Sequence, residues 1–123
     1  MTENIVNNAD EELRQWREAM AADLRGRDTS RSTRALLALT VNDPDRSRME
    51  RILLDCLEPD NDPQITALAI TCMGHLGRIH GTVSAELVSR LESLLEDPVL
   101  GGRAEDALGD VRWFTKEGLN PLQ

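Results

Sequence analysis

Apolar residues return every three or four positions along most of this chain, and the breaks between runs fall at Asn, Asp, Gly and Pro. That spacing is one face of an α-helix, so six helical segments are predicted. The first, about residues 9–24, places Ala9, Leu13, Trp16, Met20 and Leu24 on one stripe behind an Asn8 cap. The second, about 31–41, is announced by Asp28, Thr29 and Ser30 and turns Ala35, Leu36, Leu39 and Thr40 inward. It ends before Asn42-Asp43-Pro44, because proline disfavours a helical conformation in the residue before it. The third, about 46–57, aligns Met49, Ile52, Leu53, Cys56 and Leu57, with Arg48, Glu50, Arg51 and Asp55 on the side expected to face water.

The fourth segment, about 63–79, starts at Pro63, a residue well suited to a first helical turn. Ile65, Leu68, Ala69, Cys72, Met73 and Leu76 line one face, and Ala67, Ile70 and Gly74 leave the remainder almost uncharged. A helix apolar on most sides is surrounded by neighbours, which makes this the central helix, with Ile65, Leu68, Cys72 and Leu76 among its most buried residues. Gly81 reads as its left-handed cap, with Arg78 and His80 near the negative end of the helix dipole. The fifth helix, about 84–96, has Ser84 as N-cap and Leu87, Val88, Leu91, Leu94 and Leu95 inward. The sixth, about 102–115, buries Ala104, Ala107, Leu108, Val111 and Phe114, and residues 116–123 are read as an irregular tail.

The phrase DPQITALAITCMGHLGRIHG from Asp62 returns in degraded form as DPVLGGRAEDALGDVRWF from Asp97. The separation, about 35 residues, is that of helix-pair repeats. The fold class predicted is therefore all-α, a short right-handed α-solenoid of about three antiparallel helix hairpins forming one domain over residues 1–123. Composition agrees: Leu, Ala, Arg and Glu dominate, Tyr is absent, and the aromatics are Trp16, Trp113 and Phe114.

The formal charge of −8 repels a nucleic-acid backbone or an anionic membrane and attracts a basic partner. The opening MTENIVNNADEELRQW carries no secretory pattern, and the most apolar stretch, residues 67–73, is too short to span a bilayer. A cytoplasmic protein is expected, with no membrane and no nucleic acid among its partners.

Candidate chemistry is sparse. Cys56, Cys72, His75 and His80 make four zinc-type ligands on paper, but without the paired C-x2-C spacing of a zinc motif. The cysteines read as buried hydrophobes, His75 as a packing residue and His80 as a helix-end cap; no metal and no cofactor are expected. The two histidines share one helix five residues apart with no nucleophile beside them, so the chain is not read as an enzyme. The acidic pairs Asp43/Asp45, Asp60/Asp62 and Glu96/Asp97 fall in turns, either as caps or as a rim that steers a basic protein. The basic stretch Arg25 to Arg34 reads as a solvated turn, since no aromatics interleave it. On the sixth helix, Asp106, Asp110 and Trp113 project within about 60° of one another, away from the apolar stripe. This strip is the leading partner-binding candidate, with Asp43, Asp60 and Asp62 as the second; a tail folded back through Leu119 and Leu122 is the competing use of Trp113.

The segments Gly74-His75-Leu76-Gly77-Arg78-Ile79-His80-Gly81 and Gly102-Arg103-Ala104-Glu105-Asp106-Ala107-Leu108 carry a resemblance. Over roughly residues 43–114 the chain resembles the HEAT-repeat family, in particular short bacterial HEAT-like immunity proteins of contact-dependent growth inhibition and other polymorphic toxin systems. The resemblance implies a scaffold whose exposed helix faces bind a macromolecule. It also implies that Asp97 and Arg103 hydrogen-bond along the stack, with Thr66 standing where the preceding repeat would carry an arginine. The function it implies is neutralisation of a basic toxin domain, such as a nuclease, by direct binding. The alternative is a HEAT-like scaffold or regulatory adaptor for an unrelated protein; a DNA-glycosylase-like module is disfavoured by the charge.

Overall fold

Five of the six helices among the described residues are preceded by a side chain that caps or closes the turn leading into them. A computed structural model describes residues 2–115, with side chains from Asn8 onward. It contains six helices and, among the described residues, no strand: α1 (Thr2–Arg25), α2 (Thr29–Asn42), α3 (Arg46–Asp55), α4 (Pro63–His80), α5 (Ala85–Ser93) and α6 (Gly101–Thr115). The chain is all-α. Asp28, Asp45, Asp62 and Ser84 each accept from an amide in the first turn of the helix that follows, at Arg31, Arg48, Gln64 and Leu87. The Asp97 carboxylate takes the amides of Val99 and Leu100 just ahead of α6. Each such cap is worth about 1 kcal/mol. Gly81 closes α4 at φ 71°, a left-handed conformation that a side chain would strain.

The boundaries differ from the expected ones chiefly at the start of α1 and at the ends of α3 and α5, the last of which stops at Ser93 rather than near Glu96. α1 begins at Thr2, so Asn8 is inside the helix and caps nothing. No Gly or Pro interrupts residues 2–8, and nothing there stops the helix. α3 ends at Asp55, while Cys56 and Leu57 remain buried in the turn beyond it.

α4 lies at the centre. It packs against α2, α3 and α6, while α1 rests on α2 and α5 on α6. Its Ala69, Ile70, Cys72, Met73 and Leu76 are fully enclosed, in one cluster with Leu36, Leu39, Met49, Leu53, Leu87, Leu91 and Leu108. Ile65 and Cys72 are buried as anticipated, but Leu68 is only half-buried. Neighbours on two flanks of α4 rotate its buried arc toward Ile70 and Gly77, and Leu68 ends at the edge. Phe114, Leu95 and Ala9, all assigned inward, are exposed. The tail at 116–123, with Leu119 and Leu122, lies outside the described residues.

Cross-helix links advance in step. Thr29 Oγ1 at the start of α2 donates to Asp62 at the start of α4, and Thr40 near the end of α2 lies beside Cys72. Arg103 in the first turn of α6 reaches Thr71 of α4, Ala107 lies against Gly74, and Val111 against Gly77. α2, α4 and α6 therefore run in the same direction. The Thr29–Asp62 and Thr71–Arg103 links span 33 and 32 positions, and Glu50 of α3 binds Ser84 at the start of α5 across 34. A nearly constant offset thus joins α2 to α4, α3 to α5 and α4 to α6.

The tightest contact is between α4 and α6. A methyl group placed on Gly74 would stand 3.3 Å from the Ala107 Cα, and one on Gly77 would stand 3.2 Å from the Val111 Cα. Both opposing atoms are backbone, which cannot swing aside. Gly109, by contrast, has open space around its Cα. Gly77→Val should therefore lower stability by about 1–3 kcal/mol through forced separation of the helices. Gly109→Ala, in an exposed helical position, should raise it by about 0.5–1 kcal/mol. Chemical denaturation of the two variants measures both signs.

Candidate functional site

The residues singled out as partner-binding candidates do not form one site; the structure places them in three locations with different chemistry. Asp43 is the one it removes from the surface. It follows the last turn of α2, and its side chain is 0% exposed. Arg17 of α1 grips it through Nε and Nη2, both at 2.8 Å, Arg48 of α3 donates through Nε at 3.2 Å, and the Asp45 amide adds a fourth bond at 2.9 Å. A carboxylate so enclosed cannot meet a partner, and Asp43 is a structural hub rather than part of an acidic rim. Burial pushes its pKa up, but the bonds from Arg17, the Asp45 amide and Arg48 outweigh this and hold it below the ordinary value.

Glu50, expected on the solvated side of α3, is also buried. It pairs with Arg46 and accepts from both the hydroxyl and the amide of Ser84, the amide at 2.9 Å. Ser84 in turn caps α5, so one carboxylate ties α3 to the start of α5.

Asp60 and Asp62 border a cleft. Asp62 is occupied as the α4 cap and as the acceptor of Thr29, whereas Asp60 is exposed and makes no ion pair among the described residues. The cleft lies between the α1–α2 turn and the α3–α4 turn, has a volume of about 860 Å³, and is floored by Leu24, Leu39, Ile52, Cys56 and Ile65. Nothing in the one-dimensional pattern announces it, because its two walls are distant in sequence.

The third location is the α6 strip. Asp106 and Asp110 are exposed, and Trp113 is 63% exposed. Asp110 lies at the margin toward α4, with its Cβ and Oδ2 over Gly74. Ile79 on α4 and Leu37 and Val41 on α2 are also exposed. On α6 the expected Asp97–Arg103 ladder takes a different form: the aspartate serves its own turn, and Arg103 reaches back to Thr71 of α4 at 3.2 Å. On α4, Thr66 Oγ1 donates to the Cys56 carbonyl at 2.9 Å.

Cys56 and Cys72 are free, buried thiols. Burial, then the Asp55 charge and Cys72 itself, push the Cys56 thiol up to about 11; burial raises Cys72 also, although the Thr40 hydroxyl pulls the other way. His75 Nδ1 is 2.9 Å from an Arg78 guanidinium nitrogen. His80 is the last residue of α4, at the helix end as anticipated, and its Nε2 is enclosed without a hydrogen-bond partner among the described residues. The paper set of zinc ligands does not assemble: among the described residues no three His, Cys, Asp or Glu converge. No described helix is long and apolar enough to cross a membrane. No family model, no curated protein and no solved structure matches the chain.

Asp43→Asn should cost about 2–4 kcal/mol, less than a fully enclosed pair because both arginines remain partly solvated. A carboxylate held below its ordinary pKa stabilises the fold fully above that value, near 3.8, and loses this contribution as pH falls through the folded-state pKa. The melting temperature of the parent should therefore drop more steeply on acidification than that of the variant, as followed by circular dichroism. At pH 8 both thiols should react with a soluble disulfide reagent far more slowly in the folded than in the urea-unfolded protein, because the thiolate is the reactive species.

Proposed function

We propose that this chain is a protein-binding module of HEAT-like architecture, a short right-handed α-solenoid of three antiparallel hairpins, that docks a basic partner on the exposed side of α2, α4 and α6. The solenoid reading is supported by the parallel course of these three helices and by the 32-to-34-residue spacing of the links between successive layers. The binding reading rests on one observation. Five large apolar side chains, Leu37, Val41, Ile79, Trp113 and Phe114, are exposed on those three helices, with Asp106 and Asp110 beside the aromatic pair.

Exposed apolar area of this kind gains about 25 cal/mol per Å² when a partner covers it. Tryptophan at the centre of such a patch is a common anchor, and flanking carboxylates select a basic surface while raising the rate of encounter. The net charge of −8 acts in the same direction. The partner class favoured is a basic toxin domain, neutralised by direct binding in the manner of an immunity protein. Its support is the resemblance of residues 74–81 and 102–108 together with the charge. A scaffold or adaptor would share the architecture and differ in the partner alone.

The test is affinity capture with tagged full-length protein from its native cells, comparing the parent with Asp106→Arg/Asp110→Arg and Trp113→Ala. A basic protein should be retained by the parent and lost from both variants while their helical circular dichroism is unchanged. With that partner in hand, Trp113→Ala should weaken binding about 30-fold, mainly by faster dissociation. The charge reversals should act mainly on association and most strongly at low salt. Unchanged capture by both variants would place the binding surface elsewhere.

A further inference from the structure

The helix stack is open between α1 and α3. α1 rests on α2 and α3 on α4, and the space between the two outer helices is the cleft of about 860 Å³ described above. Its depth is apolar, but its rim is charged and of two signs. The end of α1 and the turn after it contribute Arg25 and Arg27; the end of α3 and the turn after it contribute Asp55 and Asp60. None of these four takes part in an ion pair among the described residues, in contrast to Arg17 and Arg48, which are committed to Asp43. The Thr29–Asp62 hydrogen bond, 3.3 Å long, holds the two turns side by side, so the opposed charges border the same opening.

The cleft does not end there. A second hollow of about 520 Å³ shares Ala21, Arg25 and Arg48 with it and continues along α1 to Asp10. The stretch of α1 from Asp10 to Arg25 is about 22 Å long at 1.5 Å per residue. That length matches six or seven residues of extended chain at about 3.3 Å each. The first hollow is apolar in its depth and the second is lined mainly by charged side chains, and an elongated groove of this kind suits a peptide with one apolar anchor better than a compact molecule, which would fill one hollow only. The acids on the rim and the overall charge exclude a polyanion.

We propose that the α1–α3 groove binds an extended peptide segment that inserts an apolar side chain between Leu24 and Ile65, with an acidic group toward Arg25 and Arg27 and a basic group toward Asp55 and Asp60. Opposite charges on the two walls of the apolar cleft suit an occupant that carries both signs on either side of an apolar side chain. The groove uses no residue of the α6 strip, so either surface stands or falls without the other.

Two blocked hexapeptides of opposite polarity serve as probes: acetyl-Lys-Ala-Leu-Leu-Ala-Glu-amide and acetyl-Glu-Ala-Leu-Leu-Ala-Lys-amide. Each is titrated into isotope-labelled full-length protein while the backbone amide resonances are recorded. One polarity should bind saturably and shift the amides of Arg25, Thr29 and Asn61. Arg25→Glu/Arg27→Glu, both exposed positions, should weaken it about tenfold, and replacing the peptide's Glu by Lys should restore the loss. Asp60→Lys should do the same at the other end. The proposal is overturned if neither peptide shifts these amides, if the charge-reversed proteins bind like the parent, or if free leucine binds as tightly as the better peptide. That last outcome would assign the cleft to a small zwitterion.

Discussion

The fold depends on how closely α6 approaches α4. At Gly74 and Gly77 the α4 backbone carries no side chain, and Ala107 and Val111 bring the α6 backbone against it. Ala104 and Ala107 keep the opposing surface equally shallow. Close contact of two backbones maximises the dispersion and burial available to a chain with only three aromatic residues and a core built from Leu, Ile, Met, Ala and Val. α5 has no extensive contact except with α6, so a shift of α6 carries α5 with it and opens the contact between Leu87, Leu91 and the rest of the core.

Apolar contact alone leaves helices free to slide, and polar links remove that freedom. Asp43 joins α1, the α2–α3 turn and α3 through two arginines, and Glu50 joins α3 to the cap of α5. Buried carboxylates like these add little net stability over an apolar replacement, because desolvation offsets most of the Coulomb gain. Their effect is on register, since a displaced helix strands a charge in the interior. Thr29–Asp62 and Arg103–Thr71 fix the same register near the surface at lower cost. Three of these links, Thr29–Asp62, Thr71–Arg103 and Glu50–Ser84, span 32 to 34 positions, so α2 to α4, α4 to α6 and α3 to α5 are joined at similar offsets along the chain.

Much of this was legible in the sequence because it is local. Six helices, the caps at Ser84 and Gly81, and the central place of α4 all follow from period, punctuation and the lack of charge between Ile65 and Leu76. The failures are long-range. Leu68 and Phe114 share a helical face with buried residues, yet burial depends on which neighbours arrive, and none covers them fully. Nothing near Asp43 in the chain reveals that Arg17 will reach it. Glu50 was readable: at 100° per residue it falls beside Leu57, within the apolar arc of α3, and a carboxylate there needs partners. Of the binding candidates, the helical period placed Asp106, Asp110 and Trp113 outward as found, whereas the two-walled cleft exists only in three dimensions.

The two surfaces proposed for function, the exposed side of α2, α4 and α6 and the groove between α1 and α3, are both presented by a core in which α4 packs closely against α6 and runs in the same direction. Nuclear Overhauser effects in isotope-labelled protein test that arrangement most directly. The Gly74 α-protons should show cross-peaks to the Ala107 methyl and the Gly77 α-protons to the Val111 methyls, so that contacts advance together along both helices. Missing cross-peaks, or contacts running in the opposite order with Gly77 against Ala107 and Gly74 against Val111, would contradict a closely packed, parallel pair.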